Sequence, residues 1–322
     1  MTEFARATAI TAWRHVKFGY DGETPPWVLR EVPGKGLAAF ATRRFELGEL
    51  ICTESPTIWV PGHHPFSAEQ LEDIARRVAR LDAADRSALL AMANVFPEAP
   101  LPAAGIFMTN SFDMTDSPSG VACAMYCALA RLNHSCTPNA QQTHLPDSGD
   151  EVLHASRTIL EGEEINDCYI ELRQCTAQRR AALQEVYRFE CECPACGAAQ
   201  GSPADPTAAA NAAERTSDDA RRVRALQLDD SILAAASDQS PAAALDIALD
   251  AVRLLTSHAC AKWSTRYVAD AHCTVYQLAM ALGKCELALQ HGREAYRINC
   301  LLQGPHSPVS IGLKKKLKKY VM

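Results

Sequence analysis

The chain has 322 residues, 48% of them hydrophobic and 22% charged, with a net charge of −6. That balance describes a soluble globular protein of one large or two modest domains. The opening M-T-E-F-A-R-A-T-A-I lacks the apolar run of a secretory signal, and no stretch approaches the roughly 20 apolar residues of a membrane span, so the expected setting is the cytoplasm, the nucleus or both. The acidic excess lies in the first 200 residues, while residues 201–322 are mildly basic. An acidic first half suits a basic protein partner and argues against direct nucleic-acid binding there.

In chain order, Val28, Leu29 and Val32 lead into P-G-K-G-L-A-A-F, where Gly34 and Gly36 permit a tight turn and close backbone approach. Phe40, Ala41, Phe45, Leu47, Leu50 and Ile51 predict two short strands around a turn at Gly48, ended by Ser55-Pro56. The pair His63 and His64 reads as loop. Ser67 with Gln70 three residues later is a capping box, and Leu71, Ile74, Val78 and Leu81 recur at helical spacing, so an amphipathic helix follows. A second helix is expected around Ser87 to Asn94, stopping before Pro97. Ile106 to Met108 reads as a short strand leading to Asn110, the polar segment from Asp113 to Gly120 as a loop, and Val121 to Arg131 as an apolar helix.

Three motifs then follow closely: L-N-H-S-C-T-P-N (Leu132 to Asn139), E-G-E-E-I-N-D-C-Y-I (Glu161 to Ile170) and F-E-C-E-C-P-A-C-G (Phe189 to Gly197). Cys191, Cys193 and Cys196 form a C-x-C-x2-C knuckle whose three thiolates suit one tetrahedral zinc, and Cys136 is the candidate for the fourth ligand. Four cysteines leave no open position for water, so such a zinc is structural. The remaining cysteines are scattered and read as small buried apolar residues in a reducing compartment. A polar N-H-S between an apolar segment and a proline suits a ligand lining better than a core. Glu163 and Glu164 look like a catalytic pair, but neighbours on a strand point to opposite faces, so a turn or structural role is expected for them.

After Gly197 the composition turns to Ala, Gly, Ser and Pro, and Ala198 to Ala213 reads as a linker. Helices are expected over Pro241 to Leu255, Trp263 to Leu282 and Cys285 to Leu302, with a tight connection at Gly283. The last pair resembles one tetratricopeptide unit, without a regular repeat. The ending L-K-K-K-L-K-K-Y reads as a solvated basic helix end.

The order N-H-S-C-x-P-N, then G-E-E-x-x-x-x-Y, then C-x-C-x2-C resembles SET-domain methyltransferases, and in detail the SET and MYND (SMYD-type) branch. G-K-G-L at Gly34 to Leu37 and T-N-S-F at Thr109 to Phe112 extend the resemblance upstream. One departure is plain: no cysteine lies between Thr53 and Asn110, where the relatives insert a MYND zinc module.

The resemblance implies an α+β fold, with a SET domain over 25–175 carrying a helical insert at about 67–96. A post-SET zinc knuckle over 176–200 and a helical C-terminal region over 201–322 would complete the chain. It implies S-adenosylmethionine as cofactor, contacted by Lys35, Gly36, Asn110, Asn133, His134, Tyr169 and Phe189. Tyr169 would complete the lysine channel as the catalytic residue, with Tyr126, Tyr187 and Phe189 as channel walls. The zinc ligands would be Cys136, Cys191, Cys193 and Cys196. The expected activity is protein-lysine N-methylation of a histone or non-histone protein by a monomer, with no membrane partner. A catalytically inactive SET scaffold that binds proteins through the helical region, or a purely zinc-dependent interaction module, stays open at this point.

Overall fold

A computed structural model describes residues 15–20, 25–62, 65–114, 122–197 and 206–319. Their elements, in chain order, begin with strands β1 (Val16–Phe18), β2 (Trp27–Val32), β3 (Gly36–Ala41), β4 (Leu50–Glu54) and β5 (Ile58–Pro61). Helices α1 (Ala68–Arg80), α2 (Ala83–Leu90) and α3 (Pro102–Asn110) follow, then β6 (Ser111–Met114), β7 (Ala122–Met125), β8 (Asn133–His134), β9 (Ala140–Leu145), β10 (Asp150–Ala155) and β11 (Asn166–Asp167). The rest is helical: α4 (Thr176–Tyr187), α5 (Pro206–Ser237), α6 (Pro241–Leu255), α7 (Thr265–Ala281), α8 (Cys285–Gln303) and α9 (Pro308–Lys318). The fold is α+β, as the resemblance implies. No helix among the described residues is long and apolar enough to cross a membrane.

The chain divides into two compact units, the first running to Asn133 and resuming over Asn139–Asp167, the second formed by His134–Pro138 with the residues from Cys168 onward. The N-H-S-C motif is therefore the place where the backbone leaves the first unit, enters the second and returns.

The first unit is built from small sheets. β1, β4, β10 and β9 make one of them in that order, β2 and β3 a hairpin, and β5, β7 and β6 a third. All their pairings are antiparallel. Phe45, Ile51, Leu153, Ile159 and Ile165 form the core between the first sheets. Ile74 and Val78 of α1, with Leu89 and Phe107, close a second core over Val60 and Met125. The capping box of α1 is present as read, with Ser67 Oγ accepting from the Gln70 amide and the Gln70 side chain accepting from the Ser67 amide.

Two ten-residue segments of this unit follow one plan, residues 42–51 (T-R-R-F-E-L-G-E-L-I) and 156–165 (S-R-T-I-L-E-G-E-E-I). Each turns on a glycine with positive φ, Gly48 at 83° and Gly162 at 80°, a region that costs a side chain-bearing residue about 1–2 kcal/mol. In each, the glutamate after the glycine folds back: Glu49 accepts the Glu46 amide at 2.9 Å and Glu163 the Leu160 amide at 3.0 Å. Each glutamate also pairs with the arginine near its segment's start, Arg43 at 2.7 Å and Arg157 at 2.5 Å. The segments interlock reciprocally. Gly48 N donates to Ala155 O and Gly162 N to Ala41 O, both at 2.8 Å, while Phe45 and Ile159 exchange both backbone bonds. The result is a local two-fold relation between the strand turns flanking β4 and β11.

Three expectations are corrected. Ile106 to Met108 lies in helix α3, which starts at a proline in its first turn and brings Gly105 so close to Phe96 O that a Cβ would sit 2.6 Å away. The helix read over Val121 to Arg131 is not one in its described part, from Ala122 onward: β7 is the central strand of its sheet, buried at every position, and a short 3-10 turn over Leu129–Arg131 follows. A strand buried on both faces shows no polar alternation, so A-C-A-M-Y-C-A-L-A carries no strand period. The expected linker ends early, because α5 is helical from Pro206; residues 198–205 lie outside the described residues, as do His63 and His64 and most of the polar segment after Asp113.

In the second unit, α4 to α9 share one core containing Leu183, Leu228, Leu245, Val275 and Leu302. The helices read from sequence at Pro241, Trp263 and Cys285 are α6, α7 and α8. Gly283, at φ 68°, makes the short connection between α7 and α8. Gly292 of α8 lets α7 and α9 approach, since a Cβ there would meet Tyr276 and Leu317 carbons at 2.8 Å. The basic ending lies on α9, with Leu313 and Leu317 buried and its lysines exposed.

Candidate active site and cysteine centre

In the first unit, the β2–β3 hairpin turns through Gly34 and Gly36, at φ 77° and 76°, with open space where their Cβ atoms would be. The backbone conformation, not crowding, therefore calls for glycine at both places. Lys35 between them extends its Nζ to 3.4 Å from Glu164 Oε2. The other oxygen of that carboxylate accepts from Asn133 Nδ2 at 3.0 Å, and the same amide is 3.3 Å from Leu37 O. Lys35 and Asn133, both expected at the cofactor, are thus gathered on Glu164. As expected, the two adjacent glutamates diverge: Glu163 holds its own turn and Glu164 faces these two side chains.

Asn139, the last residue of the N-H-S-C-x-P-N motif, was not singled out by sequence reasoning. It is almost fully buried. Its Oδ1 accepts the Asn166 amide at 2.7 Å, and its Nδ2 donates to Glu164 O at 2.8 Å and to Glu163 Oε1 at 3.2 Å. The side chain thereby imitates a strand and joins the first motif to the second. The recurrence of Asn at both ends of N-H-S-C-T-P-N is the signal that marks it.

Asn110 ends α3, and its Nδ2 donates to Ala93 O and Ile106 O, both at 2.7 Å. Tyr126 is wholly buried, with its hydroxyl donating to Gly149 O at 2.6 Å and its ring edge-on to Phe112 at 5.6 Å. Burial, with the nearby Glu151 and Glu54 charges, pushes its phenol far up. Glu54 is a buried carboxylate that sequence reasoning passed over. It accepts the amides of Ala128 and Leu129 at 2.9 Å each, and burial pushes it up to about 8 against those bonds.

In the second unit, Cys136, Cys191, Cys193 and Cys196 bring four buried sulfurs within 4.8 Å of one another. Cys136 Sγ lies 3.5 Å from Cys196 Sγ. A tetrahedron with Zn–S of about 2.3 Å has sulfur edges of about 3.8 Å, so this donor set fits a structural zinc in spacing, chemistry and number. Local geometry builds it. Arg188 takes a left-handed conformation, φ 59°, that ends α4 and swings the chain into Phe189. The amides of Cys196 and Gly197 then both donate to Cys193 O, closing the knuckle. The Cys136 amide donates to Cys193 Sγ at 3.4 Å. A backbone amide donating to a sulfur favours its thiolate form.

His134 links this centre to Tyr169. Its Nδ1 accepts the Tyr169 amide at 3.0 Å, which assigns the ring proton to Nε2, 3.3 Å from Cys136 Sγ. Burial lowers the imidazole to about 4, so at neutral pH it is an uncharged bridge rather than a base. Around it stand the aromatics read from sequence. Tyr169 lies 5.3 Å from the His134 ring and 4.9 Å from Tyr187, and Phe189 is 6.4 Å from His134. The structure therefore brings His134, Tyr169, Tyr187, Phe189 and the four cysteines together.

Residues 36–170 match the SET domain family. The chain is 27% identical over 174 residues to histone-lysine N-methyltransferase set5 of Schizosaccharomyces pombe, covering 54% of this chain and 51% of that protein. It is 34% identical over 88 residues to mouse histone-lysine N-methyltransferase SMYD3 and 35% over 88 residues to zebrafish N-lysine methyltransferase SMYD2-B, in each case 27% of this chain and 20% of the relative. The chain thus spans about half the length of the yeast protein and about a fifth of the two SMYD proteins. With the three motifs, the α+β architecture and the cysteine cluster in place, these likenesses identify residues 36–170 as a SET domain of the kind found in set5 and SMYD-type lysine methyltransferases.

Proposed function

We propose that the protein is an S-adenosylmethionine-dependent protein-lysine N-methyltransferase acting on a histone or another lysine-bearing protein. The observation that carries this reading is the His134 bridge, which couples the Tyr169 backbone to Cys136 Sγ inside an aromatic cluster. S-adenosylmethionine supplies an electrophilic methyl group on a sulfonium. In-line transfer to an amine requires alignment and a neutral nucleophile, and calls for no covalent enzyme intermediate. A lysine amine ordinarily titrates near 10.4, and an apolar surround lowers that value by disfavouring the cation. Tyr169 orients the amine through its hydroxyl, while Tyr187 and Phe189 wall it and accept a methylammonium on their ring faces. Asn133 and the backbone at His134 bind the adenosine end, with Lys35, Gly36 and Asn110 completing the cofactor contacts. The zinc at the four cysteines is structural and fixes Phe189 and His134 in place. Nothing in this scheme draws on a MYND module.

Calorimetric titration of the zinc-loaded protein with S-adenosylmethionine tests the reading. One-site saturable binding, lost in Asn133→Ala, is expected. Absence of binding by the folded, zinc-replete wild type would move the function to a non-enzymatic scaffold.

A further inference from the structure

Helix α5, which lies beyond the SET-matching residues, sends a buried cation into the cysteine centre. Arg222 has no exposed surface. Its Nη2 donates to Cys136 O at 3.0 Å and its Nη1 to Leu172 O at 2.9 Å. Its Nε pairs with Asp218 Oδ2 at 2.6 Å, one helical turn earlier. Trp263 closes the assembly, its ring 4.6 Å beneath the guanidinium and its Nε1 donating to Asp218 Oδ1 at 3.0 Å. A second buried guanidinium, Arg179 of α4, points its Nη2 at Cys196 Sγ from 3.8 Å and pairs with Asp219 at 3.2 Å.

Two buried arginines are costly unless every charge is met. Here the carboxylates come from adjacent residues of α5; the other bonds of Arg222 go to Cys136 O and Leu172 O, and those of Arg179 to Cys196 Sγ, Gln174 O and Thr176 Oγ1, its Nε being left without a hydrogen-bond partner among the described residues. The Leu172 carbonyl lies three residues past Tyr169, so Arg222 braces both the segment carrying Cys136 and the one carrying that tyrosine.

We propose that α5 is the outer shell of the zinc centre, with Arg222 and Arg179, each anchored by an α5 carboxylate, acting as positioning residues that hold Cys136 and Cys196 as ligands. This rests on the zinc reading above. Outer-shell partners of this kind are typically worth about 10- to 100-fold in metal affinity. The zinc-loaded full chain is mixed with a chromophoric chelator and the rate of zinc release is followed. Arg222→Met and Arg179→Met should release zinc at least about tenfold faster than wild type, whereas Arg224→Met, an exposed arginine on the same helix, should leave the rate unchanged. Asp218→Asn keeps the side-chain shape but removes the counter-charge, and should also accelerate release; it keeps the test readable if Arg222→Met does not fold. Wild-type release rates in folded Arg222→Met or Asp218→Asn would overturn the proposal while leaving the zinc in place. A folded wild type that neither carries nor takes up zinc would overturn the zinc reading and this one with it.

Discussion

Asn139→Ala is the substitution whose cost follows most directly from the structure. The side chain satisfies the Asn166 amide at 2.7 Å and the Glu164 carbonyl at 2.8 Å, and its own exposure is only 1%. Alanine removes both partners at once. An unmet buried polar group costs about 1–3 kcal/mol, so two give about 2–6 kcal/mol, a large share of the roughly 5–15 kcal/mol that holds a domain folded. Asn139→Asp keeps the acceptor for Asn166 but sets a carboxylate against Glu163 Oε1 at the 3.2 Å now bridged by an N–H, so it should be at least as damaging at neutral pH. Urea unfolding followed by circular dichroism reads both. A loss under about 0.5 kcal/mol for Asn139→Ala, the size of an ordinary surface change, would refute the view that this side chain joins the first motif to the second.

The paired turns predict equal penalties: Gly48→Ala and Gly162→Ala should each destabilise by about 1–2 kcal/mol, and a silent change at either one would break the proposed equivalence. Burial, and secondarily the charge of the neighbouring ring of His291 at 3.0 Å, lowers His272 to about 4. The unfolded chain therefore binds more protons below its ordinary value of about 6.5, and stability should fall as pH drops from about 6.5 towards 4. His272→Phe should flatten that dependence in denaturation curves, and an unchanged slope would remove His272 from the account. Glu54 has the opposite sign: its folded carboxyl titrates near 8, above its unfolded value, so its contribution is lost as pH rises towards and through 8. Glu54→Gln should weaken the decline between about pH 4.5 and 8, and a decline there as steep as that of wild type would show that Glu54 does not cause it.

Much of this was legible in the sequence because short motifs impose their own geometry. The Ser67–Gln70 capping box, the Gly34 and Gly36 turn, the C-x-C-x2-C knuckle and the helices from Pro241 onward each follow from local chemistry. The fourth cysteine was within reach because Cys136 sits in a motif whose polar residues make a poor core. What stayed hidden depends on partners distant in sequence. β7 reads as a helix because burial on both faces erases its period, and α3 reads as a strand because an apolar run of that length fits either. Arg222 looks like any surface arginine of an amphipathic helix until Cys136, Leu172 and Trp263 surround it. The kinship of residues 42–51 and 156–165 was present in the letters, through R-x-x-x-x-G-E, and its meaning lies in the reciprocal backbone bonds.

Methyl transfer itself tests the central claim. Zinc-replete protein, labelled S-adenosylmethionine and a panel of lysine-rich proteins including histones should yield methyl-lysine, identified by mass spectrometry, and Tyr169→Phe should abolish or sharply reduce it while cofactor binding persists. Label on a residue other than lysine, transfer indifferent to Tyr169→Phe, or no transfer to any member of the panel would contradict the account.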